Sequence, residues 1–222
     1  MPDLLSDAEF EMFRKVIYDE SGITFSGTNR SVLDSRIREL LRQKKIDSVT
    51  KYYTIILQNK EEMKEMLDSV TTNLTHFFRT QPHFDALINY VVPHLIDYKK
   101  QHGSDMIRVW SAGCSTGEEP YTIAMILKTI LPPPFTFKIT ASDISLKSLM
   151  VGRLGFYADN RVEGVPPDYL AKYFTKSSGG YQVNQDIMDT INFDYHNLSH
   201  DSGKRDFDII FCRNVIIYFD EA

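Results

Sequence analysis

The stretch Val109-Trp110-Ser111-Ala112-Gly113-Cys114-Ser115-Thr116-Gly117-Glu118-Glu119-Pro120-Tyr121 constrains the fold of this chain more than any other. A short apolar strand runs into a glycine turn, and the turn opens directly into a helix. Downstream the pattern repeats: Pro120 to Leu131 reads as a helix, Pro132-Pro133-Pro134 stops it, and Phe137 to Ser142 reads as a second strand ending in Asp143. Strands alternating with helices require crossover connections, so the expected fold is a parallel sheet with helices on its faces.

The alternation does not reach the N-terminus. Ser6 and Glu9 form a capping box, Leu5 can staple onto Phe10, and Phe10, Phe13 and Ile17 recur at helical spacing until Ser21-Gly22. A second helix is expected from about Asn29 to Lys45, with Leu33, Ile37, Leu40 and Leu41 on one side and a basic stripe of Arg38, Arg42 and Lys45 on another. Met63, Met66, Leu67 and Val70 mark a further amphipathic helix. Residues 1–72 therefore read as a small helical domain, 73–81 as a linker and 82–222 as an α/β domain that begins with a long helix carrying Phe84, Leu87, Ile88, Val91 and Leu95 inward. Within it, residues 150–190 are rich in Gly, Pro and Tyr and read as an inserted set of turns and small antiparallel strands. Alternation resumes at Thr190 to Tyr195 and Phe207 to Cys212. Four core strands are fewer than a doubly wound sheet usually holds, so the C-terminal strands are expected to be missing from this sequence.

Composition narrows the function. A net charge of −5 and a pI near 5.7 argue against a nucleic-acid binder, which needs a basic footprint. The two cysteines, Cys114 and Cys212, lie far apart with no ligand spacing around them, which predicts reduced thiols in a cytoplasmic protein and no metal. The first residues lack the charged and apolar regions of a secretory signal, and no apolar run approaches 18 residues, so neither secretion nor membrane insertion is expected.

In an open parallel sheet, ligands bind at the carboxyl ends of strands near the point where strand order reverses. Gly113 and Gly117 sit at one strand end and Asp143 at the next, where an acid can accept both hydroxyls of an adenosine ribose. A phosphate loop offers backbone N–H groups and usually a Lys to an anion, whereas Glu118 and Glu119 repel one. The ligand that fits is S-adenosylmethionine, which carries a positive sulfonium and an ammonium. Plainer roles exist for each piece: a tight turn for the glycines, first-turn acids that complement the helix dipole, and an N-cap for Asp143. Their joint occurrence at consecutive strand ends favours the ligand. Two polar segments flank the site, Thr71 to Arg79 and Arg213-Asn214 at the end of the strand from Phe207.

Thr-Thr-Asn-Leu-Thr-x-Phe-Phe-Arg at 71–79, Trp-Ser-Ala-Gly-Cys-Ser-Thr-Gly-Glu-Glu-Pro-Tyr at 110–121, Ala-Ser-Asp at 141–143, His-Asn-Leu at 196–198 and Cys-Arg-Asn-Val-Ile-Ile-Tyr-Phe at 212–219 together resemble the chemotaxis receptor methyltransferases (CheR). The resemblance spans nearly the whole chain in order. It departs at Gly113, where many members have Ala, and at Leu74, where many have Glu. It implies a helical N-terminal domain followed by a Rossmann-like methyltransferase domain with a small antiparallel insertion. It also implies S-adenosylmethionine contacts at Asn73, Thr75, Arg79, Glu118, Asp143, Asn197, Leu198, Asn214 and Val215, to which the turn itself adds Gly113; Arg79 and Tyr218 are the candidates for orienting the substrate carboxylate. The reaction implied is methyl transfer to receptor glutamates, giving methyl esters and S-adenosylhomocysteine. Arg38, Arg42 and Lys45 then become a surface for acidic receptor helices, the insertion a place where some members bind a receptor's C-terminal tether peptide, and the protein is expected to act as a monomer. The alternative is a module of the same fold that binds the cofactor and regulates a partner without turnover.

Overall fold

A computed structural model of the chain describes residues 5–71 and 74–219. Asn73, expected among the cofactor contacts, lies outside the described residues. The described residues enclose two separate hydrophobic cores.

The first core is purely helical. α1 (Asp7–Ser21) starts on the expected capping box at Ser6 and Glu9 and stops at Gly22, which takes the left-handed conformation at φ 73°. α2 (Arg30–Lys44), α3 (Val49–Gln58) and α4 (Lys60–Val70) complete the bundle. Phe13, Ile17, Leu33, Ile37, Tyr52 and Met66 are fully inside it. Asn59 ends α3 and caps α4, accepting from the backbone of Glu61 and Glu62.

The helix expected to run on from Pro82 is broken in its middle. α5 (Gln81–Ala86) and α6 (Val92–Gln101) are joined by a π-helical turn, Leu87–Val91. Pro93 explains it: proline has no N–H to donate and its ring collides with the carbonyl four residues back, so the backbone takes up one extra residue there. The phase of the apolar stripe shifts accordingly. Val91, expected inward, is exposed, and Val92 is buried in its place.

The second core surrounds a four-stranded parallel sheet made of β1 (Met106–Ala112), β2 (Thr136–Asp143), β6 (Ile191–Tyr195) and β7 (Ile209–Cys212), in the order β6-β2-β1-β7. From β1 the chain steps outward to β2 and then β6, and returns to the other side of β1 with β7, so the order reverses between β1 and β7. α7 (Glu118–Ile130) is buried almost all round from Pro120 to Leu127, as expected of a helix sandwiched between the sheet and other elements. α8 (Leu146–Leu154) packs on β2 and β6, and after it the insertion folds β3 (Phe156–Ala158), β4 (Phe174–Ser177) and β5 (Gly180–Val183) into an antiparallel sheet in the order β3-β5-β4, with α9 (Pro167–Tyr173) and α10 (Gln185–Met188) beside it. Among the described residues no helix is long and apolar enough to cross a membrane.

The two cores meet along a narrow seam. The backbone N–H of Thr24 donates to Tyr218 O at 2.8 Å, Ile23 forms an isolated antiparallel bridge with Phe219, and Asn197 Nδ2 donates to Glu20 O at 2.7 Å.

Candidate cofactor and active site

A cavity of about 290 Å³ opens where this seam crosses the carboxyl ends of β1, β2 and β7. Its floor is the glycine turn. Gly113 and Gly117 take φ values of 75° and 95°, in the left-handed region open to glycine at little cost. A side chain at Gly113 would also meet Val215 at 3.0 Å, and one at Gly117 would meet the Gly152 backbone and the Tyr157 hydroxyl at 3.0 Å. Gly117 is therefore favoured twice, by conformation and by close approach to backbone, whereas at Gly113 a methyl group asks only for a small shift of the Val215 side chain. The turn crosses over the end of β2, with Gly113 N and Cys114 N both donating to Ser142 O.

Asp143 stands at the tip of β2, 8% exposed. Its Oδ2 accepts the Ser115 N–H at 2.7 Å and its Oδ1 the Ser145 N–H at 2.9 Å. It is not the N-cap of α8; Ser145 is, accepting from Ser148 N. Asp143 instead ties two loops together and keeps its remaining lone pairs toward the cavity. Burial pushes its carboxyl above the usual carboxylate range, and it pairs with no cationic side chain among the described residues. A buried acid without a counter-cation is poised to receive a cation or a pair of hydroxyl donors.

The two acids of the motif are placed differently, and the one expected as a contact is not the one in the cavity wall. Glu118, expected to contact the cofactor, is fully buried and turned away from the cavity, where Arg161 and the Thr116 hydroxyl engage its carboxylate. Glu119 faces the cavity. The cause is helical geometry: successive residues at the start of α7 project about 100° apart, so one acid can face the site only if the other does not. Glu119 accepts from Ser111 Oγ at 2.8 Å and from Arg213 Nη1 at 3.1 Å. Burial raises its pKa, against the opposing pull of Ser111, Arg213 and Arg79.

Thr75, Arg79, Asn197, Leu198, Asn214, Val215 and Tyr218 all line the same cavity, as do Gly113 and Asp143. Asn214 holds a left-handed φ of 57°, a conformation asparagine tolerates better than most residues. Asn197 is partly spent on the seam, since its amide nitrogen binds Glu20 O while its oxygen accepts from Ser199. Arg79 Nη1 donates to Leu74 O at 2.7 Å, and Arg213 Nη2 donates to Arg79 O at 2.5 Å. Arg213 thus fixes the backbone that carries Arg79.

Arg38, Arg42 and Lys45 lie outside this cavity. Arg38 is paired with the buried Asp34 and Arg42 with Glu39, so α2 compensates much of its own basic stripe; Lys45 is exposed at the left-handed C-cap.

Sequence reasoning missed Glu119 as a site residue, and it missed Ile23, Thr24 and Phe25, which bring the α1–α2 connection into the cavity wall. No motif marks that connection. Thr24 Oγ1 and Arg213 Nε are buried without a hydrogen-bond partner among the described residues, and both belong to cavity-lining residues. The two buried acids fit a cationic ligand with hydroxyls, the orphaned Thr24 hydroxyl and Arg213 Nε–H fit acceptors on such a ligand, and the apolar Val215, Ile144 and Leu198 fit the face of a purine. Cys114, beneath the turn, is held as a thiol, because burial and the neighbouring acids push its pKa well up. It offers no ready nucleophile.

Two family models match the chain. Residues 8–71 match "CheR methyltransferase, all-alpha domain" and residues 73–222 match "CheR methyltransferase, SAM binding domain". Among similar proteins, a chemotaxis protein methyltransferase of Borreliella burgdorferi is 36% identical over 221 residues, covering 96% of this chain and 78% of the relative. One of Escherichia coli is 35% identical over 227 residues, covering 98% and 76%, and a probable one of Rhizobium etli is 34% identical over 215 residues, covering 93% and 80%.

Proposed function

The chain belongs to the CheR methyltransferase family, and from that premise we propose that it uses S-adenosylmethionine to methylate glutamate side chains of chemoreceptors, leaving glutamyl methyl esters and S-adenosylhomocysteine. The observation that carries this reading is Asp143, a buried acid without a cationic partner among the described residues, set at a strand end in a cavity shared by both cores.

When bound, S-adenosylmethionine supplies an electrophilic methyl group on a positive sulfur. Asp143 would accept the ribose hydroxyls, Glu119 and Asp143 together would favour the positive charge, and Val215 and Leu198 would pack on the base. A substrate carboxylate has an ordinary pKa near 4.3 and arrives ionised at neutral pH, so no residue of the chain has to act as a base. The task left to the protein is alignment and exclusion of water, because an anion meeting a cation loses charge on the way to the transition state. Arg79 and Tyr218 are the groups proposed to orient the carboxylate. Lys45, with Arg38 and Arg42, is the surface proposed for the acidic receptor helix, and the antiparallel insertion is the one proposed for a tether peptide.

The test is transfer of radiolabelled methyl from S-adenosylmethionine to receptor-bearing membranes. The reading expects label that is released by base, as a methyl ester is. Binding of S-adenosylhomocysteine in calorimetry with no base-labile label would overturn it in favour of a cofactor-binding module without turnover.

A further inference from the structure

Glu118 is left unused by the cofactor site, yet it is the most completely buried acid of the glycine turn. Its partner comes from the insertion. Arg161 ends the 3-10 turn Asp159–Arg161 that follows β3, reaches Glu118 Oε1, and also donates to Thr116 Oγ1 at 2.8 Å. The Thr116 hydroxyl donates in turn to Glu118 Oε2 at 2.7 Å. From the same insertion the Tyr157 hydroxyl donates to Thr116 O at 2.7 Å. Tyr157 is itself locked edge-on against Phe77 and Tyr121 at centroid distances of 4.9 and 6.1 Å.

Thr116 is therefore gripped by the insertion at its side chain and at its carbonyl. The residue before it, Ser115, holds a left-handed φ of 48° and gives its N–H to Asp143. A non-glycine residue keeps that conformation only where its surroundings over-determine it. Only the Glu118 end of this pair is buried; an ion pair of this kind adds little net stability but fixes orientation, and the planar fork of Arg suits the simultaneous grip on a carboxylate and a hydroxyl.

We propose that Arg161 is a positioning residue for the methyl-donor site: through Thr116 and Glu118 it holds the Ser115 amide against Asp143, so that the insertion and the donor cavity are energetically coupled. This rests on the reading of Asp143 as a donor contact. Coupling is reciprocal, so occupancy of the cavity tightens the insertion as much as tightening the insertion favours the donor.

The experiment uses the full chain, with S-adenosylhomocysteine titrated by calorimetry, thermal unfolding, and hydrogen exchange at residues 157–161. Arg161→Met strands the buried carboxylate and is expected to lower both the unfolding temperature and the affinity. Adding Glu118→Gln removes the stranded charge. The double variant is expected to recover most of the unfolding temperature but to bind at least about fivefold more weakly than wild type, in the range of ordinary coupling effects. Arg161→Lys is expected to regain part of the affinity. Lys176→Ala, which removes the exposed pair with Asp159 and a cation–π contact with Tyr181 on the same insertion but touches neither Thr116 nor Glu118, is expected to change neither quantity. In wild type the ligand is expected to slow exchange at 157–161, and in the double variant not to. Wild-type affinity in the double variant, or no exchange response in wild type, overturns the coupling while leaving the donor site standing. Failure of the wild type itself to bind removes the donor reading and the coupling with it.

Discussion

On the sheet side of the cavity the polar groups are held by hydrogen bonds: Asp143 by two backbone amides, Glu119 by Ser111 and Arg213, and the glycine turn by Ser142 O. On the helical side Ile23, Phe25 and Val32 present apolar surface beside the uncharged polar Ser21, Thr24 and Asn29. That wall is attached by bonds from Thr24, Ile23 and Glu20, by Lys64 over Tyr195 and by α4 against α8. Under the proposed function the contrast separates two tasks. A pre-organised, charged wall would select a ligand by charge and hydroxyl geometry, while an uncharged, more apolar wall would cover it and keep water out.

The contrast can be broken from either side. Asp143→Ala deletes the anchor of the sheet wall and is expected to weaken S-adenosylhomocysteine binding by about 100-fold, since it removes charge-assisted hydrogen bonds worth roughly 1.5–3 kcal/mol. An effect below about threefold in calorimetry would mean that the helical wall does the selecting. Glu119→Gln is expected to cost about tenfold and to flatten the pH profile. In the wild type both acids are pushed upward by burial, and a cationic ligand favours their ionised forms. Affinity is therefore expected to hold at neutral pH and to fall as pH drops through the raised carboxylate range, with proton release on binding; a pH-independent affinity would contradict the electrostatic role.

Smaller effects belong to the helical wall. Asn197→Ala cuts the bond to Glu20 and is expected to cost about 1 kcal/mol of stability in denaturant unfolding, with a few-fold loss of ligand affinity. Smallest of all, Arg42→Glu with Lys45→Glu, which leaves the pair between Arg38 and the buried Asp34 intact, is expected to leave cofactor affinity unchanged and to slow receptor methylation only about two- to fivefold, because Glu39 already offsets part of that charge. Equal losses in both quantities would show that α2 supports the cavity rather than the receptor.

Much of this arrangement was legible in the residues. The strand-turn-helix pattern located the glycine turn and Asp143, because period and turn chemistry are local properties. The Gly-, Pro- and Tyr-rich composition of residues 150–190 likewise located the small antiparallel strands of the insertion. What escaped depends on phase and on distant partners. Whether Glu118 or Glu119 faces the ligand turns on the rotation of α7, which is set by packing that no local pattern reports. The one-residue shift after Leu87 also changes phase, although Pro93 was a visible warning. The compensation of Arg38 and Arg42 was readable from Asp34 and Glu39 at helical spacing, and the stripe was over-weighted without them. The wall formed by Ile23 to Phe25 had no signal, since its role exists only once two cores are docked.

The isolated bridge between Ile23 and Phe219 has a kinetic meaning. It is one of several weak links across the seam, beside the Thr24–Tyr218 and Asn197–Glu20 hydrogen bonds and the Lys64–Tyr195 contact, each worth about 1 kcal/mol or less. Links of that size part in small hinge motions before either core unpacks, so under the proposed function the seam is where a spent donor would leave and a fresh one enter, with the sheet wall left intact.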